Sequence, residues 1–439
     1  MLIRKLLLFT LCSLSVRAFA TDYLVTSTDD SGPGTLREAI NSLEVGGDTI
    51  TFDDSLSGTI VLASPLPILS MDTVITGPTT GSVTIDGDST YQIFEVSSYS
   101  TISNLTLTNN DSTTTGSAVL INGFALASLD TVTIPHCGSS CEAPIKILEN
   151  GGLFSNNMTF SSPSGTGVDI FFEDGSVAIL SCDLSVQPEV WVDGTGEGVI
   201  YKEGEGTMVI KAVSPINIFM GADEGKLIFS GTNTDAVYVF ANGTFEGTPT
   251  VYYVSNGGIT QTGNDFGTIT NSHGYYQSSN GTLNIKIDAL GNTDLIHAFE
   301  EGLPAGNLVI QLDPGTYTAS STYTLITCDE GFNTAFDNAY FDLGMGLESI
   351  SNASLSYISD SVVLAINSTF TVNAPSLSLA KSHSTRHVQK TIVTSPVSQL
   401  FTRIMQRKTR PNVDVPCFLR NYPKQLKKDL LKRINKKCK

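Results

Sequence analysis

The chain has 439 residues, with 39 Gly, 40% hydrophobic and only 15% charged residues. That composition excludes a disordered chain and a helix-rich one, and points to many short strands and turns. The net charge of -18 conceals two opposed parts. From residue 381 onward, 16 Lys and Arg against Asp414 and Asp429 give +14, whereas residues 21–380 carry six basic residues against 41 acidic ones (43 less those two), or -35. A body this acidic repels nucleic acid and sulfated or uronic-acid polymers; the plainer reading of the charge is a solvated secreted surface.

Residues 1–20 read as a secretory signal. Arg4 and Lys5 precede the apolar run Leu6 to Val16, and Ala18-Phe19-Ala20 offers a cleavage site between Ala20 and Thr21. The run is too short to span a membrane, and no later segment forms a transmembrane helix. Cys12 follows Leu11 rather than a small residue, which speaks against a lipid anchor. The expectation is an exported chain, secreted or on the cell surface, or periplasmic if its route is truncated.

The first predicted elements follow at once. Thr35 is placed to N-cap a short helix, with Glu38 as the capping-box acid. Leu36, Ala39, Ile40 and Leu43 fall at helical spacing, Gly46-Gly47 is expected to end the helix, and Thr49-Ile50-Thr51-Phe52 to begin the first coil.

A repeat dominates what comes next. Leu105-Thr106-Leu107, Val132-Thr133-Ile134, Met158-Thr159-Phe160 and Leu184-Ser185-Val186 share an apolar, hydroxyl, apolar pattern at separations of 27, 26 and 26. A second series, Phe94-Glu95-Val96, Val119-Leu120-Ile121, Ile145-Lys146-Ile147 and Val168-Asp169-Ile170, runs at 25, 26 and 23. Two strand series sharing one period imply coils whose apolar positions stack over one another. The fold class expected is all-β, a right-handed parallel β-helix with a short N-terminal capping helix. At about 25 residues per coil, residues 46–372 make roughly 13 coils and a rod on the order of 60 Å. Asn104 and Asn157 lie in phase with the repeat, which suits turns or a ladder of Asn.

Candidate chemistry is sparse. Cys137 and Cys141 are close enough for a small loop disulfide, while pairing of Cys182, Cys328, Cys417 and Cys438 stays open. His136-Cys137 could begin a metal site, but no second Cys or His pair at metal spacing follows. His136, His273 and His297 are too widely separated to suggest a triad. Asp86 and Asp88 are the best carboxylate pair for a glycan-active enzyme; the simpler reading is a turn, with Gly87 supplying positive φ. Trp191 is assigned to the core in preference to a sugar-binding platform. No cofactor is expected.

Thr28-Asp29-Asp30-Ser31-Gly32-Pro33-Gly34-Thr35-Leu36-Arg37-Glu38-Ala39-Ile40 with Gly47-Asp48-Thr49-Ile50-Thr51-Phe52 resembles the start of large secreted β-helix surface proteins. Gly204 to Ile210, Glu224 to Gly231, Asn242 to Thr248, Phe266 to Thr270, Tyr275 to Ile287, Leu312 to Tyr317, Tyr323 to Thr327 and Ser361 to Leu364 then follow in the order of autotransporter passenger repeats. The chain is therefore similar to an autotransporter passenger of the adhesin type from a Gram-negative cell. The resemblance implies a monomeric surface rod that meets a host or neighbouring-cell ligand, protein or glycan, and is not an enzyme. It also implies a β-helix over 21–250 and folding-nucleus coils over 251–372; where the family continues into an outer-membrane barrel, this sequence departs from it with a basic tail over 373–439. That tail lacks the strand alternation of a translocator barrel. Leu426, Leu430 and Ile434 would give it an amphipathic helix; a solvated end, or unrelated sequence after a gene break, are the other readings. A secreted β-helix lyase or hydrolase, and a truncated autotransporter remnant, are the rival functions.

Overall fold

The computed structural model describes residues 20–108, 116–135, 143–161, 167–183, 189–342, 347–349 and 351–373. The apolar signal run, His136, Cys137, Cys141, Leu184-Ser185-Val186, Cys417, Cys438 and the basic tail lie outside the described residues. Among the described residues the regular structure is nearly all strand, in long parallel-stranded sheets, with one short α-helix, Leu36–Asn41.

The parallel strands pair with strands one repeat away in continuous register, so like side chains stack; the register slips by one residue between Ala222, opposite Val239, and Glu224, opposite Asn242. One inward column runs Ile50, Ile75, Ile102, Leu129, Ser155, Leu180, Lys202, Ala222, Val239, Asn256 and Gln277. A second face stacks Phe94, Val119, Ile145, Ile170 and Val192. A third stacks Ile60, Ile85 and Leu107, then Ile134 on Phe160. Strand side chains alternate faces, so the apolar members turn inward and are essentially unexposed, while Thr106, Thr133 and Thr159 turn outward. Each fully buried Ile, Leu or Phe contributes about 1.5–3 kcal/mol of transfer free energy, which is how a Gly-rich chain holds such short strands.

The period is not a uniform 25. Read from the residue numbers, successive steps down the first column are 25, 27, 27, 26 and 25, then 22, 20, 17, 17 and 21. The contraction coincides with two long strands, Ile218–Phe229 and Val237–Glu246, each of which serves two faces without a loop at the corner. Gly225, at φ +65, allows the first of these bends, because a side chain there would press on Lys202 Nζ and two carbonyls.

Other expectations are corrected. The second series continues through Ile170–Phe172, paired with Ile145–Ile147 at a step of 25, not through Val168 to Ile170. The reason is polar: Asp169 is buried and accepts the Trp191 amide at 2.8 Å, so the inward apolar pair is Ile170 and Phe172. The helix ends at Asn41, with Ser42 as C-cap donating its amide to Ala39 and Glu38, well before Gly46-Gly47. At its start Thr35 accepts the Glu38 amide at 3.3 Å, and the Glu38 carboxylate accepts from Gly34 N–H at 2.6 Å. Asn104, Thr131 and Asn157 take φ values of 54, 55 and 51, so the in-phase Asn residues occupy left-handed corners. In the turn after Ile85 the positive φ falls on Asp88 and Ser89 instead of Gly87.

Parallel pairing gives way to antiparallel near the end. Thr322–Cys328 pairs antiparallel with Ser361–Ile366, which also pairs with Ala353–Ile358. Gly315–Tyr317 pairs antiparallel with Phe370–Val372, bringing Tyr317 into stacking with Phe370 at 5.1 Å.

Candidate functional site

The outward side of the contracted segment carries a continuous band of rings. Its backbone is a second register column: Phe154, Ile179, Tyr201, Gly221, Tyr238, Ser255 and Tyr276. Neighbouring outward positions add Phe219 and Phe240, and the adjacent corner adds Tyr252, Tyr253 and His273.

Ring contacts run from Tyr201 to Tyr276 and His273 without a gap. Tyr201 meets Phe219 at 5.7 Å, Phe219 meets Tyr238 at 4.9 Å, and Tyr238 meets Tyr253 at 5.8 Å. Tyr253 then lies edge-on to Tyr276 at 5.5 Å and beside Tyr252 at 5.5 Å. Tyr252 stacks flat on His273, 4.9 Å apart and 3° from parallel. Such offset and edge contacts fix ring orientation. Ile179, Val199 and Tyr201 are buried together at one end, with Phe154, Val177, Phe219 and Phe240 packed against them as a small outer cluster. At the other end Tyr252 is 41% exposed. The band therefore grades from an anchored base to an open tip.

Its polar groups are few and defined. The Tyr238 and Tyr253 hydroxyls share a 2.6 Å hydrogen bond. Burial, aided by that bond, pushes the Tyr253 phenol far above its ordinary pKa, so it stays neutral. Tyr276 is raised by burial and by the nearby Glu301 and Glu300 carboxylates. His273 pairs with Glu300. Asp235 beside the band is raised by burial despite the amide of Ala236 that it accepts.

The residues singled out by sequence are not brought together. Asp88 donates its amide to Asp86 Oδ1 at 2.9 Å, which makes the pair a turn. Trp191 is not in the core: it faces outward, donates Nε1–H to Glu189 at 2.9 Å and lies 4.9 Å under the Lys211 ammonium. Cys182 and Cys328 are separate buried free thiols. His297 bonds Thr327 through Nδ1 at 2.8 Å, away from His273. Ala20 and Thr21 are exposed at the head of the first strand. Among the described residues, no three His, Cys, Asp or Glu side chains converge as metal ligands would, and no helix is long and apolar enough to cross a membrane.

All six basic residues of 21–380 are engaged within the chain. Arg37 pairs with Asp30, Lys146 with Glu173, Lys211 with Glu189 and Lys226 with Glu246. Lys286 donates to the carbonyls of Gly263 and Asp265. Lys202, fully buried in the first inward column, donates to the carbonyls of Glu203 at 3.0 Å, Glu224 at 2.9 Å and Gly204. It serves as a structural tie for the corner, not as an exposed charge.

Sequence reasoning missed the ring band because its spacing is irregular. Tyr201, Phe219, Tyr238, Tyr253 and Tyr276 follow one another at uneven separations of 18, 19, 15 and 23. Only the contracted register aligns them. The outward alternation of aromatics in Val199-Ile200-Tyr201 and Val237-Tyr238-Val239-Phe240 was the available signal. No family model and no curated protein matches the chain.

Proposed function

We propose that the chain is an exported right-handed parallel β-helix of the autotransporter-passenger type, which acts by presenting its outer face as an adhesin rather than by catalysis. In this reading the helix Leu36–Asn41 plugs the first coil, the antiparallel strands near residue 372 close the other end, and the ring band meets the ligand. The observation that carries the reading is the band itself: half-buried rings locked in place by neighbours, ending in the exposed Tyr252–His273 stack.

A neutral glycan suits that surface best. Ring faces offer flat apolar area for the C–H faces of a sugar, and the phenol tips offer hydrogen bonds. The engaged basic residues and the acidic body disfavour anionic polymers. The test is binding of the full processed chain to an array of neutral glycans and to cell surfaces. Tyr252→Ala and His273→Ala should each weaken binding at least tenfold with an unchanged melting temperature. Absence of binding, or binding indifferent to both substitutions, removes the proposal. Release of reducing or unsaturated sugars, lost in Asp86→Asn, would instead establish the enzyme.

A further inference from the structure

The Asp48 carboxylate is fully buried at the head of its strand and accepts three backbone N–H groups. Oδ1 accepts from Thr21 at 2.8 Å; Oδ2 accepts from Glu44 at 2.9 Å and Val45 at 3.1 Å. Thr21 is held from its other side, since its carbonyl accepts the Thr49 amide at 2.8 Å as the first strand, Asp22–Val25, pairs with Asp48–Phe52. Among the described residues no basic side chain forms an ion pair with Asp48. Burial opposes its charge, but the three amides outweigh that and hold the Asp48 carboxyl below the usual carboxylate range, so the site is already anionic in the uncut chain.

We propose that hydrolysis of the Ala20–Thr21 bond adds a counter-ion to this anionic site: the new Thr21 α-ammonium forms an ion pair with Asp48 in place, locking the first strand onto the second. The inference rests on reading residues 1–20 as a removable export signal. In the reaction water adds across the amide, the C–N bond breaks, Ala20 leaves as a carboxylate, and the Thr21 nitrogen takes up protons to become –NH3+. The nitrogen already lies at hydrogen-bond distance, so no rearrangement is needed. One neutral donor becomes a charged one, and charge-assisted bonds are roughly twice as strong as neutral ones.

The experiment compares the full chain beginning at Thr21 with one retaining Ala18-Phe19-Ala20, each with Asp48 or Asp48→Asn. Hydrogen exchange is followed in the peptide that contains Thr49. With Asp48 present, the free-amine form should exchange about tenfold more slowly than the extended form, and the difference should vanish in Asp48→Asn. Equal exchange in the two Asp48 forms, or an undiminished difference in Asp48→Asn, overturns the proposal. Should Asp48→Asn fail to fold, Nα-acetylation of the Thr21 form replaces it, and acetylation must then abolish the protection. Mass spectrometry of the exported protein's N-terminus separately decides the processing reading: a start other than Thr21 defeats that reading and with it the biological role, whatever the exchange result.

Discussion

The ring of Tyr201 lies over Gly221, its register partner on the next strand, in the space that a β-carbon would fill. Phe240 closes the same space from the far side, 6.3 Å from Tyr201 between centroids. The missing side chain at one position is thus the seat for the ring at another, and the outer cluster is anchored there.

Gly221→Ala should therefore be destabilising, although alanine is ordinarily the better strand residue. Displacing the ring from a packed site costs about 1–3 kcal/mol. Chemical denaturation should record a lower midpoint, and near-UV circular dichroism a changed tyrosine signal. An unchanged midpoint would mean that the ring has another place to go.

Thr131 occupies a left-handed corner at φ 55, between Asn104 and Asn157 in the same column. A β-branched residue is poorly suited to that conformation, whereas Asn tolerates it. Thr131→Asn should stabilise the protein by roughly 1 kcal/mol, part of the left-handed penalty that Asn escapes. Thr131→Val, which retains the branching and loses the bond from Oγ1 to Asp130 at 3.1 Å, should not.

Lys202 gives a pH signature. Burial holds its ammonium below the usual lysine range, with the nearby Cys182 and Glu224 opposing the shift. The unfolded chain then binds the proton more tightly, so this group's contribution to stability rises as pH climbs from the folded pKa toward about 10.4, the unfolded value. Lys202→Met should remove that rise from a pH series of denaturation midpoints. It should also cost about 1–3 kcal/mol near neutrality, because carbonyls of Glu203, Gly204 and Glu224 lose their donor.

The two described thiols should be inert in the folded protein. Burial, with Asp329 adding to it, pushes the Cys328 thiol up to about 12, and burial also raises Cys182. Only the thiolate reacts appreciably. Mass-mapped alkylation at pH 8 should leave both residues unmodified for as long as the protein stays folded, and modify both in denaturant. Rapid labelling of Cys328 without unfolding would contradict its placement.

Much of the strand framework was legible in the chain. The apolar, hydroxyl, apolar triplets that begin at Leu105, Val132 and Met158 can be satisfied only if each strand finds its apolar partners one repeat away, so repetition and alternation together imply a parallel stack. Thr35 and Glu38 announced a helix start for a local reason: their partners are near neighbours along the chain. What tertiary structure decided was everything set by register between distant rungs. The step from Ala222 to Val239 is far shorter than the step from Ile75 to Ile102, and no local pattern announces that contraction. It nevertheless brings Tyr201, Tyr238 and Tyr276 into one column and places Lys202 inside. Trp191 shows the same limit, since hydrophobicity favours the interior, while strand parity and the partners Glu189 and Lys211 hold it outside. Alternation tells which residues share a face of one strand; only the stacking of strands tells which residues of different coils meet.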